Sequence, residues 1–211
     1  MTTALEMALD AALKDHRLLD HLFYRRWEAG EVSRDELKRY AEQYRFFEAM
    51  FPEFLEALAT QLPDGPARQA VLDNLRDEVS APSHLDLFDK FGRSFDAEDA
   101  PISPATSNLV ESYARLLELG APASLAGLWA YETQGAEIAQ SKAEGLVTHY
   151  GASETAVEFW TVHGLIEGDH AQWTLEALSL LGVDLTEAEV AARMIGDAWW
   201  SFLDERELLA A

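Results

Sequence analysis

Three residues with metal-binding side chains recur at helical spacing in the last third of the chain. Glu167 lies four positions after His163 and three before His170. An α-helix turns once in about 3.6 residues, so these three side chains share one stripe, while Asp169 points away from it. Two imidazoles and a carboxylate suit iron, manganese or zinc. The alternative is an exposed polar stripe that binds nothing, so a metal site needs donors from other segments.

Acidic residues in apolar helical segments are the candidates for those donors. Glu132 follows an apolar run, and Glu78 ends another helical segment. His84 lies just beyond the break at Pro82. Each residue has a plain alternative: Glu132 as an exposed residue on an imperfect stripe, Glu78 as a surface acid at a helix end, and His84 as a polar residue at the start of a short helix. A buried carboxylate is costly unless it is paired or binds a metal. Together with the stripe these residues supply three imidazoles and three carboxylates, enough for two metal ions.

Several familiar metal motifs are excluded. Ferritin-like di-iron bundles use two Glu-x-x-His elements, whereas this chain has one, from Glu167 to His170. The His-Glu-x-x-His element of zinc proteases is absent. Cysteine is absent too, which excludes disulfides, thiolate metal sites and a cysteine nucleophile.

The elements that must position these residues are helices. Nearly every segment has a helical period, and none alternates in the manner of a strand. Ser33 with Glu36, and Thr186 with Glu189, form capping-box patterns that predict the starts of two helices. We therefore predict a single all-α domain over residues 1–211, a bundle of about seven helices or more. The predicted helical segments are 4–19, 20–27, 34–62, 66–78, 84–91, 104–119, 122–150, 152–182 and 186–208.

Composition narrows the classes of function. The formal net charge is −22, from 38 acidic and 16 basic side chains, and such a surface repels phosphate backbones. We therefore expect no nucleic-acid partner. No run of about 18 apolar residues is present, so we expect no membrane span. The first residues carry acids early, unlike a secretory signal. A cytoplasmic location is the expectation.

The order of the candidate ligands carries a resemblance. The series Glu78…His84…Glu132…His163-x-x-x-Glu167-x-x-His170 resembles that of the heme-oxygenase-like dimetal oxidases, over most of the chain. Within them the chain is most similar to the CADD-type, self-sacrificing para-aminobenzoate synthases. Two features differ: the gap between the first Glu and His is short, and position 167 is Glu where the resemblance leads us to expect Asp. The matching motifs are His21-Leu-Phe-Tyr24-x-x-Trp27, Tyr40-Ala-Glu-Gln-Tyr44, Tyr131-Glu132 and Glu137-Ile-Ala-Gln-Ser-Lys142.

The resemblance implies a fold, a chemistry and roles for particular residues. It implies two metal ions, Fe/Fe or Mn/Fe, with dioxygen as co-substrate and an external reductant. It also implies that the product is used in folate biosynthesis. Tyr24 would supply the aromatic ring of para-aminobenzoate and Lys142 its amino nitrogen, in a single turnover. Tyr40 and Tyr131 would lie near the centre, where they relay an electron, hydrogen-bond the ligands or are merely structural. Without the resemblance, Tyr24 is equally a core aromatic and Lys142 a solvated lysine.

Two other functions stay open at this point. The first is a heme-oxygenase-like dimetal oxidase that acts repeatedly on an external amino acid or fatty acid. The second is a metal-free helical interaction protein. Thiaminase-like members of the wider fold usually rely on a cysteine, which this chain lacks. Bundles of this kind commonly form homodimers, so a homodimer is one candidate assembly, but the sequence does not define the oligomeric state.

Overall fold

A computed structural model describes residues 3–209 of the chain. Within those residues the chain forms nine α-helices, one 3₁₀ turn (Leu18–Asp20) and no β-strand. The helices are α1 (Ala4–Leu13), α2 (Leu22–Glu28), α3 (Arg34–Gln61), α4 (Pro66–Val79), α5 (His84–Ser94), α6 (Pro104–Leu119), α7 (Ala121–Tyr150), α8 (Glu154–Leu181) and α9 (Leu185–Leu208).

Helix α7 is the centre of the bundle. It packs most extensively along α8 and also contacts α6 and α9. Every side chain from Ser124 to Glu132 is buried, which explains why this segment has no polar face in the sequence. Helices α4 and α5 both pack against α8 and against α3. The four helices that carry the candidate metal ligands are therefore neighbours.

The helix starts follow the side-chain signals in the sequence, with one exception. Ser33 and Ser83 each cap a helix through a capping box, at the starts of α3 and α5. The predicted capping box at Thr186 is wrong. The carboxylate of Asp184 instead accepts hydrogen bonds from the backbone N–H groups of Thr186 and Glu187, so the N-cap lies two residues before Thr186 and α9 begins at Leu185. Asp is a better N-cap than Thr, so Asp184 caps this helix instead of Thr186.

The all-helical prediction is confirmed for the described residues, but the count of about seven is low. The predicted first helix also ran too far, because α1 ends at Leu13. Four polar residues follow before Leu18, whose buried side chain brings the 3₁₀ turn back onto the core. Within residues 3–209, no helix combines the length and the hydropathy that a bilayer span requires.

The revised start of α9 can be tested by removing each candidate cap. Asp184→Ala should lower the free energy of unfolding by about 1 kcal/mol, because two N–H groups lose their acceptor. In a chain of this size that corresponds to a fall in Tm of roughly 2–4 °C. Thr186→Ala is the matched control and should shift Tm less. Equal effects, or a larger effect at Thr186, would contradict the observed cap.

Candidate metal centre

The six predicted ligands come together in the interior of the bundle, in two adjacent groups of three. In each group one ligand atom per residue lies within 4.8 Å of the others, and all six residues are buried. The first group draws on helices α4, α5 and α8, and the second on α7 and α8. Their convergence is a fact of the structure, and their role as ligands remains a prediction. The groups are Glu78, His84 and His163, and Glu132, Glu167 and His170.

The first group contains an imidazole nitrogen without a hydrogen bond. His84 Nδ1 lies 2.8 Å from Glu78 Oε2, yet the angles do not make a hydrogen bond and Nδ1 has no other partner. The rings of His84 and His163 are also close, with centroids 4.4 Å apart. His84 Nδ1 and Glu78 Oε2 are thus close together without a hydrogen bond between them. Two ligands of one cation would be arranged in the same way. The short gap between α4 and α5 therefore does not keep His84 from the site.

His163 is oriented by its own helix. Its Nδ1–H donates to the carbonyl oxygen of Phe159, one turn earlier, at 2.9 Å. That bond fixes the tautomer and leaves Nε2 as the acceptor that a metal needs. Nε2 lies 3.7 Å from Glu167 Oε1, although Glu167 belongs to the second group. The Glu167 carboxylate therefore lies within reach of a ligand atom of each group.

In the second group, hydrogen bonds from neighbouring helices hold the Glu132 carboxylate. Asn74 donates to one oxygen at 2.5 Å, and Thr174 donates to the other at 2.6 Å. A carboxylate has about four lone-pair sites, so both oxygens can still bind a cation. His170 Nε2 bonds Asp77 Oδ2 at 3.1 Å, which leaves Nδ1 as the nitrogen available to a metal. Asp77 is not part of the group itself, so it orients His170 as a supporting carboxylate.

Burial shifts the pKa values of three of these residues in the metal-free protein, namely Glu132, Glu167 and His163. It raises the pKa of Glu132 to about 8. The hydrogen bonds from Thr174 and Asn74 lower this pKa, but by less than burial raises it. Burial also raises the pKa of Glu167 well above its ordinary range, and the charge of Glu132 adds to the effect. The pKa of His163 is lowered well below its usual value, first by burial and then by His84. A neutral imidazole is the form that binds metals.

The donor set fits two ions of iron or manganese. Three imidazoles and three carboxylates are borderline-to-hard ligands, without the thiolates that favour zinc or copper(I). Two buried atoms of this set, His84 Nδ1 and Glu167 Oε2, have no hydrogen-bond partner within the described part of the chain. Unsatisfied buried polar atoms are rare and need an explanation. A cation bound at each group would explain these two atoms, because it would accept their free lone pairs and favour the ionised carboxylates.

A lysine and two tyrosines form a second cluster beside the donor groups. Lys142, which is 2% exposed, donates from Nζ to Tyr40 Oη at 2.5 Å. Tyr40 Oη lies 3.2 Å from Tyr24 Oη. The Nζ atom is also 4.0 Å from the ring centre of Trp160 and 4.6 Å from that of Tyr24. Lys142 is therefore not the solvated lysine of the plain interpretation.

Burial alone makes the Lys142 amine unusual. It lowers the pKa of Lys142 well below that of a free lysine, and the negative charge of Glu48 only partly opposes this. Burial raises the pKa of Tyr24, whose hydrogen bond to Tyr40 acts in the opposite direction. Tyr40 also has its pKa raised, first by burial and then by its tyrosine neighbours. Burial therefore favours the neutral form of the amine as well as of the phenols.

One small cavity connects the two clusters. It has a volume of about 20 Å³, which is room for about one water-sized molecule. Tyr24 and Lys142 line it together with His163 and Glu167. Tyr131 lines it as well and shares a 2.7 Å hydrogen bond with Tyr44. The remaining lining residues are Leu18, Tyr44, Gly135, Ile138, Ala139, Trp160 and Trp199.

Several residues of the site were not predicted from the sequence. Asn74 and Asp77 precede Glu78 by four positions and one on α4, and Thr174 follows His170 by four on α8. Helical spacing to a ligand was the available signal, but such polar residues are common on exposed faces too. Glu48 is a further buried acid, and burial and the charge of Glu78 raise its pKa well above the ordinary range.

The raised pKa of Glu132 predicts how the metal-free protein responds to pH. A carboxyl whose pKa rises on folding stabilises the folded state fully below its unfolded value of 4.5, and that contribution is lost as pH rises through about 8. Compared with Glu132→Gln, metal-free wild type should therefore lose stability across this interval, by at most about 1.4 kcal/mol for each pH unit. Urea unfolding at several pH values measures it. A constant difference between the two proteins would contradict the raised pKa.

The hydrogen bond that His170 Nε2–H donates to Asp77 predicts a second effect, on metal affinity. Asp77→Ala should weaken ferrous iron binding roughly 10- to 100-fold, because His170 loses the partner that fixes its tautomer. Asp73→Ala is the matched control, since it removes an acid from the same helix one turn away, bonded to Gln69 and Arg76 instead. Anaerobic titration with Fe(II) measures both. Equal affinities in the two variants would show that Asp77 has no orienting role.

Comparison with known proteins agrees with this geometry. A family model described as "Iron-containing redox enzyme" matches residues 38–204. The chain is 31% identical to a 4-aminobenzoate synthase of Chlamydia pneumoniae, over 96% of this chain and 94% of the relative. It is 33% identical to a 4-aminobenzoate synthase of Nitrosomonas europaea, over 96% of this chain and 91% of the relative.

Solved structures with the same fold have lower sequence identity. A TenA homologue from Pseudomonas syringae has a TM-score of 0.85 at 16% identity, covering 97% of this chain and 93% of its own. A CADD-like protein of unknown function from Nostoc punctiforme has a TM-score of 0.77 at 16% identity, covering 97% and 99%. These two likenesses concern the fold alone. On the evidence of the family model and the curated relatives, this chain is an oxidoreductase that belongs to the family of iron-containing redox enzymes and is a CADD-type relative of the 4-aminobenzoate synthases.

Proposed function

We propose that this enzyme makes 4-aminobenzoate in an oxygen-dependent reaction at a pair of metal ions, from its own Tyr24 and Lys142. The curated relatives carry that activity in their names. The six buried donors would hold the ions, as Fe/Fe or Mn/Fe, and iron is the metal of the family. Once bound, the metal pair would supply the oxidising power by activating dioxygen, with an external reductant.

The observation that carries this proposal is the size of the cavity between the clusters. Its volume of about 20 Å³ is far below the roughly 300 Å³ or more of pockets that hold small organic substrates. A cavity of this size does not accommodate an external amino acid or fatty acid beside His163 and Glu167 unless neighbouring side chains move. The aromatic ring already at this cavity is that of Tyr24. A substrate that is part of the chain explains a redox site closed to anything larger than a diatomic gas or water.

The protonation of the second cluster suits the roles of its members. A neutral Lys142 has a free electron pair on Nζ, which an amine donor requires and an ammonium lacks. Tyr24 keeps its phenolic proton, because burial raises its pKa. Tyr40 lies between the two, with hydrogen bonds to both. We assign Tyr40 the role of holding the amine and the phenol in register, and Tyr131 that of positioning Tyr44 at the cavity wall.

The apolar surroundings protect this chemistry. Trp160 and Tyr44 lie over the Lys142 amine, at 4.0 and 5.1 Å from ring centre to Nζ. They exclude water, which would otherwise protonate the amine or react with an oxidised ring. Because the reaction consumes Tyr24, each polypeptide would turn over once.

The rival functions are less well supported. A metal-free interaction protein does not agree with membership of a redox enzyme family. A di-iron oxidase with an external substrate uses the same six donors, but it needs a larger cavity. The two oxidase functions differ in their dependence on Tyr24, since only the self-sacrificing reaction requires that side chain.

Isotope labelling and mass spectrometry test the proposal directly. Protein labelled with ring-¹³C tyrosine and ¹⁵N lysine, treated with Fe(II), reductant and oxygen, should release 4-aminobenzoate that carries both labels. The peptide that contains Tyr24 should lose the side-chain mass, and the peptide that contains Lys142 should change as well. Tyr24→Phe should abolish the labelled product because the phenol is its source.

Tyr150→Phe provides the matched control for that experiment. Tyr150 is a partly buried tyrosine that donates to the carbonyl oxygen of Val32 and does not line the cavity. Its variant should release labelled product as wild type does. Unlabelled product, or an unchanged Tyr24 peptide in protein with iron demonstrably bound, would overturn the self-sacrificing reaction and favour the external-substrate oxidase.

A further inference from the structure

Helix α7 carries a glycine directly against the carboxylate of Glu167. A Cβ atom added to Gly135 would lie 2.9 Å from both Cγ and Cδ of Glu167 and 3.0 Å from its Oε2. These are the three nearest atoms, and real Cβ atoms essentially never approach others closer than 3.0 Å. Gly135 also lines the cavity and follows Glu132 by three positions, on the face of α7 that bears the donors. Any larger residue here would therefore displace a candidate ligand.

The backbone gives no other reason for a glycine at this position. Gly135 lies in the middle of α7 and is not among the glycines with positive φ. Alanine is the more favourable residue in an ordinary helical conformation. A mid-helix glycine with a normal conformation is explained by close packing, and here the closest neighbour is Glu167.

Glu167 depends on that packing more than Glu132 does. Hydrogen bonds from Asn74 and Thr174 hold both oxygens of Glu132. Glu167 Oε2, by contrast, is a buried oxygen that has no hydrogen-bond partner among residues 3–209. The close surface of Gly135 therefore limits how far the Glu167 carboxylate can move toward α7.

We propose that Gly135 is a positioning residue for the metal pair, matched to the length of the Glu167 side chain. The absence of a Cβ lets the carboxylate extend between the two donor groups, where Oε1 lies 3.7 Å from His163 Nε2. Adding a methyl group at 135 displaces the carboxylate sideways. Shortening Glu167 to Asp removes one methylene and makes room for that methyl group. This inference rests on the metal pair of the proposed function, and not on the identity of its product.

Metal binding to four proteins tests the match. Gly135→Ala should remain folded, because the clash falls on the end of a side chain, but its Fe(II) affinity should fall at least ~10-fold, as for loss of a residue that orients a ligand. After Mn(II) loading, the EPR signal of a coupled pair should give way to that of isolated ions. Glu167→Asp alone should weaken binding. The double variant Gly135→Ala/Glu167→Asp should recover affinity and coupling relative to Gly135→Ala.

Gly164→Ala is the matched control. It adds the same methyl group at the same interface between α7 and α8, where the nearest atom is Gln140 Cγ at 3.1 Å. Gln140 is exposed and offers no metal ligand in either donor group, so this variant should bind metal as wild type does.

The outcomes separate this inference from the proposed function. Wild type that binds no stoichiometric metal would overturn both. Wild type with two ions, and Gly135→Ala with the same affinity and coupling, would overturn the role of Gly135 alone. So would additive losses in the double variant, because a steric match requires recovery. Unfolding of Gly135→Ala would also contradict it, since the strain would then fall on the backbone instead of the ligand.

Discussion

The structure depends on the burial of ionisable donors in a helical core. Three carboxylates and three imidazoles lie away from water, where an uncompensated charge is costly. The protein offsets part of that cost itself, through Asn74 and Thr174 at Glu132, Asp77 at His170 and the Phe159 carbonyl at His163. Among the described residues, it leaves His84 Nδ1 and Glu167 Oε2 without a hydrogen-bond partner. Divalent cations would complete the pairing, so the fold is organised to make metal binding favourable.

Helix α7 connects the two halves of the chemistry. It carries Glu132 at the donor groups and Lys142 ten residues later. Those ten residues correspond to a rise of about 15 Å, but long side chains on a helix point back toward its N-terminus. Lys142 therefore reaches back to the cavity that Glu167 lines. Because one helix holds both Glu132 and Lys142, the distance between the amine and the donor groups is set by the helix instead of a flexible loop.

The donors could be predicted from the sequence more easily than their supports. The stripe of His163, Glu167 and His170 follows from helical period alone, and Glu132 stood out as an acid after an apolar run. Tyr24 and Lys142 were identified only by resemblance, because a tyrosine among aromatics and a single helical lysine have ordinary structural explanations. Their burial and mutual contacts depend on how α2, α3 and α7 pack, which no local pattern records.

The supporting residues were missed for a related reason. Asp77 and Thr174 are ordinary polar residues of amphipathic helices, and their role depends on which neighbouring helix they face. Gly135 is simply an unfavourable residue in a helix until the opposite side chain is known. The start of α9 shows the same limit at short range, since two capping patterns overlap and the structure uses Asp184.

The central claim is that the two donor groups bind a pair of metal ions, and anomalous X-ray diffraction tests it most directly. Crystals of protein loaded anaerobically with Fe(II), measured on both sides of the iron absorption edge, should show two anomalous peaks per chain. One should lie among Glu78, His84 and His163, and the other among Glu132, Glu167 and His170, with the Glu167 carboxylate between them. Iron-soaked crystals without a peak at either group, or with iron bound only elsewhere on the acidic surface, would contradict the account.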